Sequence, residues 1–152
     1  MNQWASERGQ NLIEFAMLTP FVIVLIAAIV IFGLALNTRS SLQQGVREAA
    51  RQIAVGVPVP TAQALAAGNA PDVLTPADVL VCYPDNNGSK GQTGDPVRVY
   101  IYKDGAEGYP YTLVPATGIF SALGASSLTV RMSPRATARL EKSVTSPVDC
   151  PP

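Results

Sequence analysis

The residue types best placed to do chemistry lie in one heptapeptide, Gly9-Gln10-Asn11-Leu12-Ile13-Glu14-Phe15, set directly against an apolar run from Phe15 to Leu36. Glu14 is a lone carboxylate at the mouth of that run. An ionised group entering hydrocarbon costs several kcal/mol unless it finds a partner, so the chemistry expected of Glu14 is charge pairing. The other reactive groups are the thiols of Cys82 and Cys150, both beyond the apolar run. In an oxidising compartment they can pair, and closing so long a loop contributes about 4 kcal/mol in the chain-entropy model. A bond between subunits, or two unrelated thiols, are the alternatives.

Other chemistries find little in the chain. It contains no histidine, the commonest general base and metal ligand. With 11 basic and 11 acidic residues it carries no net charge, which argues against a general nucleic-acid or anionic-surface binder. There is no GxxxxGK[ST] loop, no GxSxG elbow and no Cys–His arrangement, so an enzymatic reading has no residues beneath it and no cofactor is expected. Asp85-Asn86-Asn87-Gly88 resembles the start of a calcium loop but lacks the full spacing and its terminal glutamate; a plain surface loop is expected and no metal site is assigned. Tyr100, Tyr102, Tyr109 and Tyr111 suit half-buried sheet positions better than an adhesive patch.

The element that must position Glu14 is a membrane-length helix. Phe15–Leu36 is uncharged and broken in its aliphatic character only by Thr19, Pro20 and Gly33. At about 1.5 Å per residue it spans roughly 33 Å, enough for a bilayer core. Pro20 cannot donate to the carbonyl of Ala16, which predicts a kink or a loosened turn. A secretory signal would have a shorter apolar core, with Gly33-Leu34-Ala35 as its weak cleavage candidate. The positive-inside rule, weighing Arg8 against Arg39, Arg47 and Arg51, would keep the C-terminal part in the cytoplasm. Against it, Arg47 and Arg51 fit the solvated face of an amphipathic helix.

That helix continues with a changed pattern. Leu42, Val46, Ala49 or Ala50, and Ile53 form an apolar stripe, Glu48 and Arg51 are spaced for an ion pair, and Gly56 and Pro58 mark the stop. From Val57 the chain is rich in glycine and proline. A short helix over Pro60–Gly68 capped by Thr61 is predicted, followed by strands over Asp78–Tyr83 and Val97–Tyr102. Lys103-Asp104-Gly105 supplies a turn, with Tyr109–Val114 as the returning hairpin partner. Ser126–Met132 reads as a strand broken by Pro134 and resuming over Ala136–Leu140. The fold class expected is α+β: a long N-terminal helix, half membrane and half amphipathic, packed on a small antiparallel sheet.

The heptapeptide resembles a prepilin cleavage site. Arg8-Gly9, Glu14-Phe15-Ala16, the apolar run, Phe32-Gly33, Leu42-Gln43 and Ala49-Ala50-Arg51 together resemble the TadE-like family, minor pilins or pseudopilins of the Tad/Flp pilus system. The resemblance covers residues 8–56, with a looser likeness at Arg135–Glu141 and none over Val57–Leu128. It implies a leader over 1–9, a transmembrane helix over 10–37, an amphipathic continuation over 38–56 and an extracytoplasmic head over 57–152. It further implies a cut after Gly9 by a prepilin peptidase, with Phe15 assisting recognition and Gln10 as the first mature residue. An N-terminal glutamine can cyclise, which would remove the amine. Glu14 would pair with the amine of a neighbouring subunit and set register. The partners implied are the peptidase, other Tad pilins, pilus assembly platform proteins and the membrane, with the N-terminus cytoplasmic. The rival is an uncleaved, single-pass anchor presenting an adhesive or sensory head.

Overall fold

A computed structural model describes residues 4–70, 72–85, 88–114 and 126–151, with side chains from residue 12 onward. The chain divides into two units, Met1–Ala35 and Leu36–Pro152, and helix α1, Trp4–Ala54, contributes to both.

In the first unit the helix is apolar on all sides behind Glu14. Fifteen large apolar side chains between Leu12 and Leu34 are more than half exposed. At roughly 1.5 kcal/mol for burying each one, on the order of 20 kcal/mol of hydrophobic stabilisation is left to be gained from other apolar surroundings. α1 runs through Pro20, and the Thr19 hydroxyl donates to the Phe15 carbonyl one turn back at 2.7 Å. A back-bond of this kind loosens a helix locally without breaking it.

The second unit holds the core. Leu42, Val46, Ala49, Ala50 and Ile53 are all buried, as their three- and four-residue spacing predicts. Gly45 lies on the same stripe, and a Cβ there would sit 2.7 Å from the carbonyl oxygen of Ala66. Helix α2, Val59–Gly68, thus crosses α1 at close range, with Ala62, Ala66 and Ala67 buried. α1 ends at Ala54 in a Schellman arrangement: Gly56 at φ +93° donates to Ile53, and Val57 donates to Gln52. The Thr61 cap does not form. α2 begins two residues earlier, at Val59, with Pro58 at the cap position; proline has no side-chain acceptor to offer, and Pro60 in the first turn removes one orphan donor. Glu48 accepts from the Gln52 amide rather than pairing with Arg51.

A 3-10 turn, Pro76–Asp78, leads into β1, Val79–Cys82. The central strand is β2, Pro96–Lys103, antiparallel to β1, to β6 (Arg135–Arg139) and, at its far end, to the two-residue β3 (Ala106–Glu107). Val97, Val99 and Ile101 share the inner face with Val79 and pack on the α1 stripe, α2 and Leu140. Two glutamines close the flanks: Gln63 donates to the Val79 carbonyl and Gln43 to the Arg135 carbonyl. This is the α+β architecture the alternation and helical stripe predict.

The hairpin prediction needs correcting. Asp104 (φ 54°) and Gly105 (φ 76°) do form a tight turn after β2, but the returning strand is β3. Gly108, at φ +98° and with no room for a Cβ beside the Met132 carbonyl, redirects the chain. β4, Tyr109–Val114, then pairs with β5, Leu128–Met132, in a separate two-stranded sheet. The break at Pro134 therefore separates strands of two sheets. Arg131 ties them together, its guanidinium donating to the carbonyls of Lys103, Ala106 and Gly108.

Candidate functional site

Gly9, Gln10, Glu14, Phe15 and Pro20 occupy successive turns of one unbroken helix, α1. The side chains of Gly9 and Gln10 lie outside the described residues. Phe15 is 71 % exposed and Glu14 is exposed beside it. Among the described residues Glu14 has no ion-pair partner. The segment therefore presents a carboxylate and an aromatic on a helix surrounded by uncovered apolar side chains. Such an arrangement can be read by a protease or matched by a neighbouring charge.

Cys82 and Cys150 come together as a disulfide with Cα atoms 4.8 Å apart, across 68 residues of sequence. It is one of several fastenings on the C-terminal tail. Glu141 donates to the Ala54 carbonyl, Val144 to Gly91 and Tyr83 to Val148, while Lys90 pairs with Asp149. That last contact raises the Lys90 ammonium pKa, chiefly through the hydrogen bond the ammonium donates to the Asp149 carboxylate. Beneath the tail, Tyr83 is buried, its hydroxyl has no partner among the described residues, and burial raises its pKa. It contributes to a cavity of about 260 Å³ shared with Ile53, Gly56 and Lys142.

Two acidic residues that the sequence reading passed over anchor loops. Asp95 is buried and accepts from the Ser89 hydroxyl and the Gln92 backbone N–H, closing the turn before β2. Asp78 accepts from the N–H and hydroxyl of Thr75 and from Lys103. Burial works to raise the Asp78 pKa, but the Thr75 hydrogen bonds and the Lys103 charge outweigh it and hold the carboxyl below its ordinary value. Lys103 also donates to the Val73 carbonyl at 2.7 Å and lies 5.3 Å from the centre of the Tyr109 ring. The signal for Asp78 was Thr75 three residues before it, the spacing of a capping pair. Gly45 sat on the apolar stripe at an i+3 step from Leu42. No group of residues suited to hold a metal occurs among the described residues. Tyr100 is buried, Tyr109 and Tyr111 are half-buried and Tyr102 is exposed, its hydroxyl donating to the Gly105 carbonyl.

A helix long and apolar enough to cross a membrane, ending in an amphipathic stretch that packs on a small sheet, defines a class of membrane-anchored α+β proteins. Residues 9–51 match the family model described as TadE-like protein, and the matched stretch lies wholly within α1. That match implies involvement in the Tad pilus system. No curated protein and no solved structure matches the chain.

Proposed function

We propose that the protein is a structural minor pilin or pseudopilin of the Tad pilus machinery, cut after Gly9 by a prepilin peptidase and acting by helix packing rather than catalysis. The observation that carries this reading is the run of thirteen exposed apolar side chains, Phe15 to Leu34, directly behind Glu14. They need lipid before assembly and the helices of other pilins after it. Glu14 sets register in that bundle: a correctly placed neighbour offers its terminal amine, and a misplaced one leaves a buried charge unpaired, at several kcal/mol. The N-terminus faces the cytoplasm, where the peptidase acts, and the sheet-bearing unit lies outside. Compatibility with oxidising conditions follows from the Cys82–Cys150 bond.

The test is the N-terminus of the protein from its native host, determined by mass spectrometry with and without the peptidase. A peptidase-dependent start at Gln10 is expected. A start at or near Met1 in both strains would leave a permanent anchor with an adhesive or sensory head, and the pilin reading would fall. Glu14→Ala is expected to insert normally but to lose most of its incorporation into pili. Unchanged incorporation would remove the register role.

A further inference from the structure

Strand alternation puts a second set of charges on the outer face of the four-stranded sheet. Arg98 and Tyr100 stand on the face opposite Val97, Val99 and Ile101, and the register sets Arg135 directly across from Tyr100. Three other cations of this unit are committed: Lys90 to Asp149, Lys103 to Asp78, Arg131 to three carbonyls. Among the described residues the guanidiniums of Arg98 and Arg135 have neither an ion pair nor a hydrogen bond. With Tyr100, Glu107 and the disulfide-held Cys150–Pro151 they line a recess of about 180 Å³. The Tyr100 phenol has its pKa raised, first by burial and then by Glu107, with Arg98 opposing, so these charges act on one small volume.

We infer that this recess is a docking site for an acidic side chain of a partner protein, one carboxylate at a time. Two planar guanidinium forks match a carboxylate in two-point geometry. Glu107 in the same wall leaves the recess with one positive charge in excess. That balance suits a monoanion and penalises a dianion such as phosphate. The volume falls below the roughly 300 Å³ at which small-molecule pockets begin, and fits a protruding side chain better than a free ligand. Its walls are a β-sheet and a covalent bridge, so little ordering is left to oppose binding. The inference is independent of the pilin reading, because it concerns a surface outside α1.

The test uses the full oxidised chain in neutral detergent micelles, titrated with a fluorescently labelled, end-capped tetraglutamate peptide and read by anisotropy. Inorganic phosphate and a tetraglutamine peptide serve as competitors. The parent chain is expected to bind tetraglutamate in the micromolar to millimolar range, with tetraglutamine inert and phosphate at least tenfold weaker. Arg98→Gln with Arg135→Gln should weaken binding more than thirtyfold, while Lys90→Gln leaves it within twofold. Glu107→Gln, at an exposed position, should strengthen phosphate binding several-fold relative to the peptide. Absence of peptide binding, equal binding by the double variant, or phosphate competing as well as the peptide in the parent chain would each overturn the assignment. Should the double variant lose its fold by circular dichroism, the Glu107→Gln selectivity shift decides alone, and no shift refutes it.

Discussion

Replacing Gly45 sets two effects of opposite sign against each other. Alanine is favoured over glycine inside a helix by about 1 kcal/mol. Here, however, the new Cβ would lie 2.7 Å from the Ala66 carbonyl oxygen, where ordinary contact begins at 3.4 Å, and the neighbour is backbone rather than a side chain that can swing away. Relieving that overlap means moving α2 or α1, and overpacking of this kind costs about 1–3 kcal/mol. The clash therefore wins, and Gly45→Ala is expected to destabilise the sheet-bearing unit by about 1 kcal/mol, shifting its thermal midpoint down by roughly 4 °C. Gly45→Val, with two further atoms and a branched carbon, should cost about 3 kcal/mol. The control is Gly68→Ala: nothing lies within 4 Å of a Cβ there, so it should be neutral or slightly stabilising. Urea and thermal melts of the full chain in micelles, followed by circular dichroism, read all three. If Gly45→Ala melts at or above the parent, α1 and α2 do not approach as described.

Two further perturbations probe the fastenings of that unit. Replacing Cys82 and Cys150 together by alanine opens a loop spanning 68 residues and should cost about 4 kcal/mol in urea unfolding; a loss under about 1 kcal/mol would mean the tail's hydrogen bonds hold it unaided. Asp78 has a folded-state pKa below its ordinary 3.8, so its contribution is complete above 3.8 and is lost as pH falls through the lower, folded value. Asp78→Asn should flatten that acid limb of the stability–pH curve, and parallel curves for variant and parent would contradict the Thr75–Asp78–Lys103 arrangement.

What could be read from the chain beforehand was whatever repeats at a fixed period. The stripe through Leu42, Val46 and Ile53 and the alternation through Val97, Val99 and Ile101 each bury one face, so periodicity alone located the core. Pairing between distant strands leaves no such mark. Tyr109–Val114 has the right composition to follow a turn, yet its partner is β5, and the redirection rests on the positive φ of Gly108. Pro134 was visible as a break, while the change of sheet across it depends on contacts made by residues far apart in sequence. Local polar competition misled twice more. Prolines supplanted the Thr61 cap, and Gln52 took the carboxylate that helical spacing offered to Arg51. At the heptapeptide the sequence carries more than the fold does, since the chemistry of Glu14 depends on molecules outside the chain.

The glutamines on the flanks of the sheet bear on how many copies of this chain can coexist. An outer strand with open carbonyls is a template on which any extended segment can grow. Gln63 occupies the Val79 carbonyl on one side and Gln43 the Arg135 carbonyl on the other, each amide held by a helix that is itself part of the core. At those two points strand addition would first have to displace a tethered donor. Crowded copies are thereby steered away from sheet-to-sheet fusion, and contact between them is left to side chains and to bare helix. Ordered stacking demands that bias, and disordered aggregation would be its failure.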